Sequence, residues 1–254
     1  MPKFFVSNEE IKEQEIQIKG KDVNHIKNVL RKKLGDKITI CNNDTHSDYL
    51  CEIKRIDEEK IECNILEKLE ANAESNIKVS ILQGLPKADK MELIIQKSVE
   101  LGVYDITPVE MKRCVVKLNE KDKVKKIERW QKISEVAAKQ SGRNIIPKIN
   151  DIISIKNICN LCQEYDIVIV AYENEKENKL KYELEKLKQN NEEELKIAIL
   201  IGPEGGIDET EIELLKRNSA KIVTLGNRIL RTETVALNVL SIIMYELENW
   251  KDET

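Results

Sequence analysis

From residue 77 onward the chain alternates short, almost continuously apolar segments with longer segments whose apolar residues recur at helical spacing. Residues 77–83 read as a strand and precede a helix carrying Met91, Ile94, Ile95 and Val99, closed by Gly102. A strand at 105–109 and a long helix near 122–140 follow, then a short helix before Tyr165 and a strand at 166–171. A charged helix about 178–189, a strand at 195–202, a helix at 208–218, a strand at 221–225 and a last helix at 232–248 complete the series. Alternation of this kind predicts an α/β domain with a parallel sheet, helices on both faces and apolar strands buried between them.

The first 70 or so residues have a different rhythm. Segments 16–19, 37–41, 49–56 and 60–66 are rich in β-branched residues, with turn clusters between several of them. Asp22 reads as the N-cap of one helix running through Leu30, with Val23, Ile26, Val29 and Leu30 on its apolar face. The small, polar run at 70–76 reads as a linker. A β module over 1–72 and an α/β domain over 73–254 are therefore expected. Aromatic residues make up only 4% of the 254-residue chain, so Ile, Leu and Val must fill both cores.

Charge and cysteine content narrow the partners and the compartment. The net charge is −4, yet residues 83–148 hold 15 basic and 9 acidic residues, a local +6 that leaves −10 elsewhere. That asymmetry predicts a basic face on an acidic protein, the footprint of a polyanion partner. No run approaches the roughly 20 apolar residues needed to span a bilayer. The start, Met1-Pro2-Lys3-Phe4-Phe5-Val6, lacks a secretion signal. A cytoplasmic protein is expected. Six cysteines fit, read as reduced apolar residues, since a single C-x-x-C (Cys159, Cys162) beside only two histidines makes a poor metal site.

Two glycine-bearing turns leave strands near the C-terminus. One is Gly202-Pro203-Glu204-Gly205-Gly206, after which Asp208 and Glu211 resemble a capping box. The other is Leu225-Gly226-Asn227-Arg228-Ile229-Leu230-Arg231, entering the last helix. Strand ends are where open α/β sheets bind ligands. Neither turn is a P-loop or a dinucleotide fingerprint. The residues alone reach an α/β domain with a small-molecule site.

Several blocks carry a more specific resemblance. They are Asn24-His25-Ile26, Val29-Leu30-Arg31, the run from Lys90 to Val103 with Ile106-Thr107-Pro108, Arg113-Cys114-Val115-Val116-Lys117, and Gln140-Ser141-Gly142-Arg143-Asn144 with Pro147. With Gly-Pro-Glu-Gly-Gly and Leu-Arg-Thr-Glu-Thr-Val-Ala they resemble, in order from residue 24 to about 240, the RsmE family. These are the ribosomal RNA small-subunit methyltransferases E of the SPOUT superfamily. The resemblance implies a PUA-like β-barrel RNA-binding domain followed by a SPOUT domain with a trefoil knot. It also implies a homodimer whose subunits both contribute near the site. The implied reaction is S-adenosylmethionine-dependent methylation of N3 of a uridine in the decoding region of 16S rRNA, leaving S-adenosylhomocysteine and needing no metal. Where the family often has Arg beside an aromatic and an Asp-Gly turn, this chain has Lys3-Phe4 and Asn42-Asn43-Asp44.

By the same resemblance the cofactor is held by Leu200, Ile201, Gly202, Pro203, Glu204, Gly205 and Gly206. Leu225, Gly226, Ile229, Leu230 and Ala236 complete the expected set. Arg231 is expected to stabilise the uridine as N3 loses its proton, and Glu233 to accept that proton or orient Arg231. The alternative for Arg231 is a salt bridge to Glu233 or Glu204. Arg113 and Arg143 are expected to touch RNA from the second domain, and Lys3, His25 and Arg31 from the first. Nothing chemical is expected of the charged stretch 173–194. Two other readings stay open: a SPOUT enzyme acting on a ribose 2′-hydroxyl of transfer or ribosomal RNA, and a non-catalytic RNA-binding assembly factor.

Overall fold

The computed structural model describes residues 3–70, 73–188 and 194–248. Part of the expected linker (71 and 72), the end of the charged helix and stretch (189–193), and Met1-Pro2 lie outside the described residues. Two units form: Met1–Glu74 with Ala138–Ile146, and Ser75–Ala137 with Pro147–Thr254.

In the first unit the strands are β1 (Lys3–Val6), β2 (Ile11–Lys12), β3 (Glu15–Lys19), β4 (Lys37–Asn42), β5 (Asp48–Ile56) and β6 (Lys60–Leu69). They form one sheet in the order β1-β4-β5-β6-β3-β2. Every pairing is antiparallel except β1 with β4. Side chains alternate along each strand, so Ile16, Ile18, Ile38, Ile40, Ile53 and Ile61 point to one core with Phe4 and Val6. β1 escaped the sequence reading, although Phe4-Phe5-Val6 carries high strand propensity.

The expected helix from Asp22 to Leu30 is corrected. Helix α1 (Lys21–Asn24) is a single turn whose N-cap is Gly20 at φ +69°, and residues His25–Val29 form a wider π turn. The Asp22 carboxylate caps nothing there; both of its oxygens accept from Lys139 Nζ at 2.9 Å. The wide turn breaks the 3.6-residue repeat. Val23 and Ile26 are therefore buried while Val29 is exposed.

The second unit contains β7 (Ile77–Gly84), α2 (Lys90–Glu100), β8 (Asp105–Glu110), α3 (Glu120–Ser141), β9 (Lys148–Ile149) and β10 (Ile153–Ser154). It continues with α4 (Ile155–Leu161), β11 (Ile167–Ala171), α5 (Leu180–Lys188), β12 (Leu195–Ile201), α6 (Glu209–Arg217), β13 (Lys221–Val223) and α7 (Thr232–Leu247). The last residues of α3 group with the first unit. All pairings are parallel, in the order β10-β8-β7-β12-β11-β13 with β9 beside β8. Consecutive residues of β11 and β12 are buried, so both faces of the sheet are covered. α7 lies on β7 and β12 and packs against α2 and α5. No described helix is long and apolar enough to cross a membrane.

Candidate functional site

The direction of chain progression reverses at the centre of this sheet. From β7 the chain steps outward through β8 to β10, and on the other side β12, β11 and β13 lie in turn. Strands on the two sides of such a reversal send their carboxyl-end loops apart and leave a crevice between them. Loops leaving β11, β12 and β13 enclose a cavity of about 490 Å³, within the range of small-molecule sites.

The loop after β12 holds the first glycine turn. Gly206 donates its N–H to Pro203 O at 2.9 Å and stands at φ +71°, closed to most side chains. Asp208 accepts from Thr210 N and Glu211 from Asp208 N, so the capping box forms and fixes the start of α6. The loop after β8 buttresses this turn from behind. Lys112 N donates to Glu211 Oε1 at 2.9 Å, and Arg113 Nη1 to Gly205 O at 3.3 Å. A Cβ at Gly205 would stand 3.0 Å from Arg113 O, so the two loops touch backbone to backbone.

The loop after β13 is the second glycine turn, and it ends on Arg231 as the N-cap of α7. Gly226 has φ +109°, a region L side chains rarely enter. Gly226→Val should therefore reshape this turn and weaken calorimetric binding of S-adenosylmethionine at least tenfold. A Cβ there meets nothing within 4 Å, so any fall in melting temperature should come from the strained φ alone and leave the fold intact. Binding equal to the unchanged chain would take Gly226 out of the site.

Of the expected cofactor residues, Ile201, Gly202, Pro203, Glu204, Gly205, Gly206, Leu225, Gly226, Ile229 and Leu230 line the cavity. Leu200 and Ala236 do not line it; both are fully buried behind it in β12 and α7. Ile229 is 86% exposed, which excludes core packing as its role in this chain. Arg231 lines the cavity, is exposed, and makes no ion pair among the described residues. Glu233 and Glu204 are held instead by Lys90, at 3.3 and 2.9 Å. Burial pushes the Glu204 carboxyl up, but hydrogen bonds from Lys90 and backbone N–H groups outweigh it and hold the group below its ordinary range.

Sequence reasoning assigned no role to Lys90 or Glu173, both of which line the cavity. Glu173 leaves β11 so close to the first turn that a Cβ on Gly206 would overlap its carboxylate. Glu173 thus brings the start of the charged stretch 173–194 to the cavity wall. Lys176 and Lys179 line a neighbouring cavity of about 650 Å³ that shares Thr224, Leu225, Gly226 and Asn227 with the first.

The residues expected to touch RNA are scattered. Arg31 is exposed, at φ +53°, and His25 is half-buried with its ring edge-on to Phe4 at 6.0 Å. Arg113 is exposed but packs on the first glycine turn. Lys3 and Arg143 are corrections: both are buried and paired. Lys3 Nζ lies 2.6 Å from Asp48 Oδ2 and donates to Asn144 Oδ1. Arg143, 4% exposed, is forked onto the Glu74 carboxylate.

A parallel sheet whose strand-end loops close a glycine-edged cavity, preceded in the chain by a small antiparallel-rich β module, defines a ligand-dependent α/β protein with an accessory domain. Known proteins share both parts. Residues 73–244 match the family described as RNA methyltransferase domain, and residues 18–66 the one described as RNA methyltransferase PUA domain. The chain is 38% identical to ribosomal RNA small subunit methyltransferase E of Bacillus subtilis (strain 168), over 98% of each chain. Identity to the protein of the same description from Mesomycoplasma hyopneumoniae (strain 232) is 33%, over 95% of this chain and 98% of that one. The crystal structure of a ribosomal RNA small subunit methyltransferase E from Neisseria gonorrhoeae bound to S-adenosyl methionine matches with TM-score 0.83 and 29% identity, covering 96% of this chain and 97% of that one. The chain belongs to the ribosomal RNA small subunit methyltransferase E family.

Proposed function

We propose that this protein methylates N3 of one uridine in the decoding region of 16S rRNA, using S-adenosylmethionine and releasing S-adenosylhomocysteine. The reading rests on family membership and, above all, on the cavity where both glycine turns meet beside Arg231. The cavity fits the cofactor. Its wall includes Gly206 and Gly226, both at positive φ, a Cβ on Gly206 would overlap the Glu173 carboxylate that also lines it, and its volume of about 490 Å³ suits a nucleoside with an amino-acid tail. Backbone groups of 201–206 and 225–230 would hold it. Bound there, the cofactor supplies an electrophilic sulfonium methyl.

Arg231 then supplies the cation that stabilises the base as N3 loses its proton. Glu233, held by Lys90, is assigned the proton acceptor; no pair with Arg231 supports the orienting role. The 73–254 domain is assigned the chemistry, and the 1–72 domain the grip on RNA, through Arg31 and His25. In this reading the protein is a cytoplasmic homodimer with a trefoil-knotted second domain. Purified protein, cofactor and small subunits from cells lacking it should yield 3-methyluridine on mass spectrometry of digested RNA. A ribose-methylated nucleoside, or none, would refute the base assignment.

Affinity for RNA should be salt-dependent. Lys121, Lys125 and Lys132 on α3 are exposed, as is Arg31. Four phosphate contacts at about 0.7 each predict a log–log slope near −2.8, or roughly 50-fold weaker binding at 200 than at 50 mM salt. A flat curve would remove the phosphate grip.

A further inference from the structure

A buried hydrogen-bond chain runs between strand ends and joins the two turns, and neither of its side chains, Gln83 and Thr232, figures in the assignments above. Gln83, the penultimate residue of β7, is fully buried, and its Nε2 donates to Thr232 Oγ1 and to Gly84 O, both at 2.9 Å. Thr232, 5% exposed, passes the bond on: its hydroxyl donates to Gly202 O at 2.7 Å. The hydroxyl thus accepts from one side and donates to the other, which fixes the direction of the whole chain. Its middle link is the residue that follows Arg231, and it ends on the residue that opens the first glycine turn.

The surroundings leave this link little freedom. A Cβ on Gly84 would stand 2.7 Å from Pro203 Cδ and 2.8 Å from Pro203 N, so the end of β7 is pressed directly against the first turn. Gln83 Oε1 has no hydrogen-bond partner among the described residues, a cost accepted in order to aim Nε2 at Thr232. A buried polar group left half satisfied is expensive, and the arrangement persists only where its neighbours dictate it.

Resting on the cofactor assignment, we infer that Thr232 is a positioning residue: the Gln83–Thr232–Gly202 chain sets the first glycine turn, and the methyl donor held there, at a fixed separation from Arg231. Rates of group transfer depend steeply on such separations, because a misplacement of about 1 Å can cost on the order of a hundredfold. Binding of the cofactor depends on them far less, since each turn still offers its backbone.

The test compares Thr232→Val, which keeps the shape and removes the hydroxyl, with Thr232→Ser, which keeps the hydroxyl and removes the methyl. Cofactor affinity is read by calorimetry without RNA, and methyl transfer in single turnover with saturating RNA. Thr232→Val should slow transfer about 10- to 100-fold while cofactor affinity changes no more than about threefold, and Thr232→Ser should restore the rate to within about threefold. Gln83→Met breaks the chain from its other end and should reproduce the Val result; it decides the matter if Thr232→Val does not fold. A wild-type rate in the Val or Met variant overturns the inference. So does a Ser variant as slow as Val, since the methyl group would then be what matters. Failure of the unaltered protein to bind the cofactor or transfer methyl would instead refute the proposed function.

Discussion

Arg231→Ala should slow single-turnover methyl transfer from saturated RNA about 100- to 1000-fold, the cost of removing one preorganised charge from a developing anion, or about 2.7–4 kcal/mol. Its place in the fold argues for a role in chemistry over one in stability. Arg231 is the N-cap of α7, where the helix dipole is positive and a cation is disfavoured. The carboxylates that would offset that repulsion, Glu204 and Glu233, are taken by Lys90. Removing Arg231 should therefore leave the melting temperature unchanged or slightly higher, and cofactor binding nearly intact. Arg231→Lys should recover part of the rate, as a charge without the planar fork. Transfer by the Ala variant at the normal rate would leave Arg231 outside the mechanism.

Arg143→Ala should destabilise the protein by about 3 kcal/mol in a denaturant titration, at the lower end of the cost of breaking a buried ion pair. The lower end applies because Glu74 also accepts from Asn144 N at 2.7 Å and Ile145 N at 3.1 Å. A phosphate contact on the surface would give the opposite pattern, weaker RNA binding with an unchanged midpoint. The pair also holds residues 138–146 within the first unit, together with Asn144, which accepts from Ala73 N and donates to His46 O. A fragment ending at residue 72 would lack both halves of this arrangement.

What the sequence made legible follows from the range over which each signal acts. Periodicity is local, so β7, β12 and α7 stand within two residues of their expected bounds at either end, and α2 carries the four apolar residues expected of it. Turn chemistry is local too, and the Asp208–Glu211 box and the φ of Gly206 and Gly226 follow from it. Pairing over long separations leaves no such trace. Lys3 meets Asp48 across 45 positions and Arg143 meets Glu74 across 69, so two cations that resembled RNA contacts are internal. Lys90 and Thr232 stood inside recognised blocks, yet their partners lie elsewhere in the chain. Leu200 and Ala236 adjoin or lie near cavity-lining residues, but their side chains are buried, and the choice of face is settled by packing.

Strand order also sets a timetable. β12 pairs along its whole length with β7, Leu195 against Ile77, a separation of 118 residues. At about 5–20 residues per second of synthesis, β7 waits on the order of ten seconds for that neighbour. Throughout that interval one edge of a strand as apolar as Val79-Ser80-Ile81-Leu82 has no partner from its own chain. An unpaired apolar edge is a template for mispairing. The newborn chain is therefore most open to mispairing during a window that closes only when the strand carrying the first glycine turn slots into the middle of the sheet.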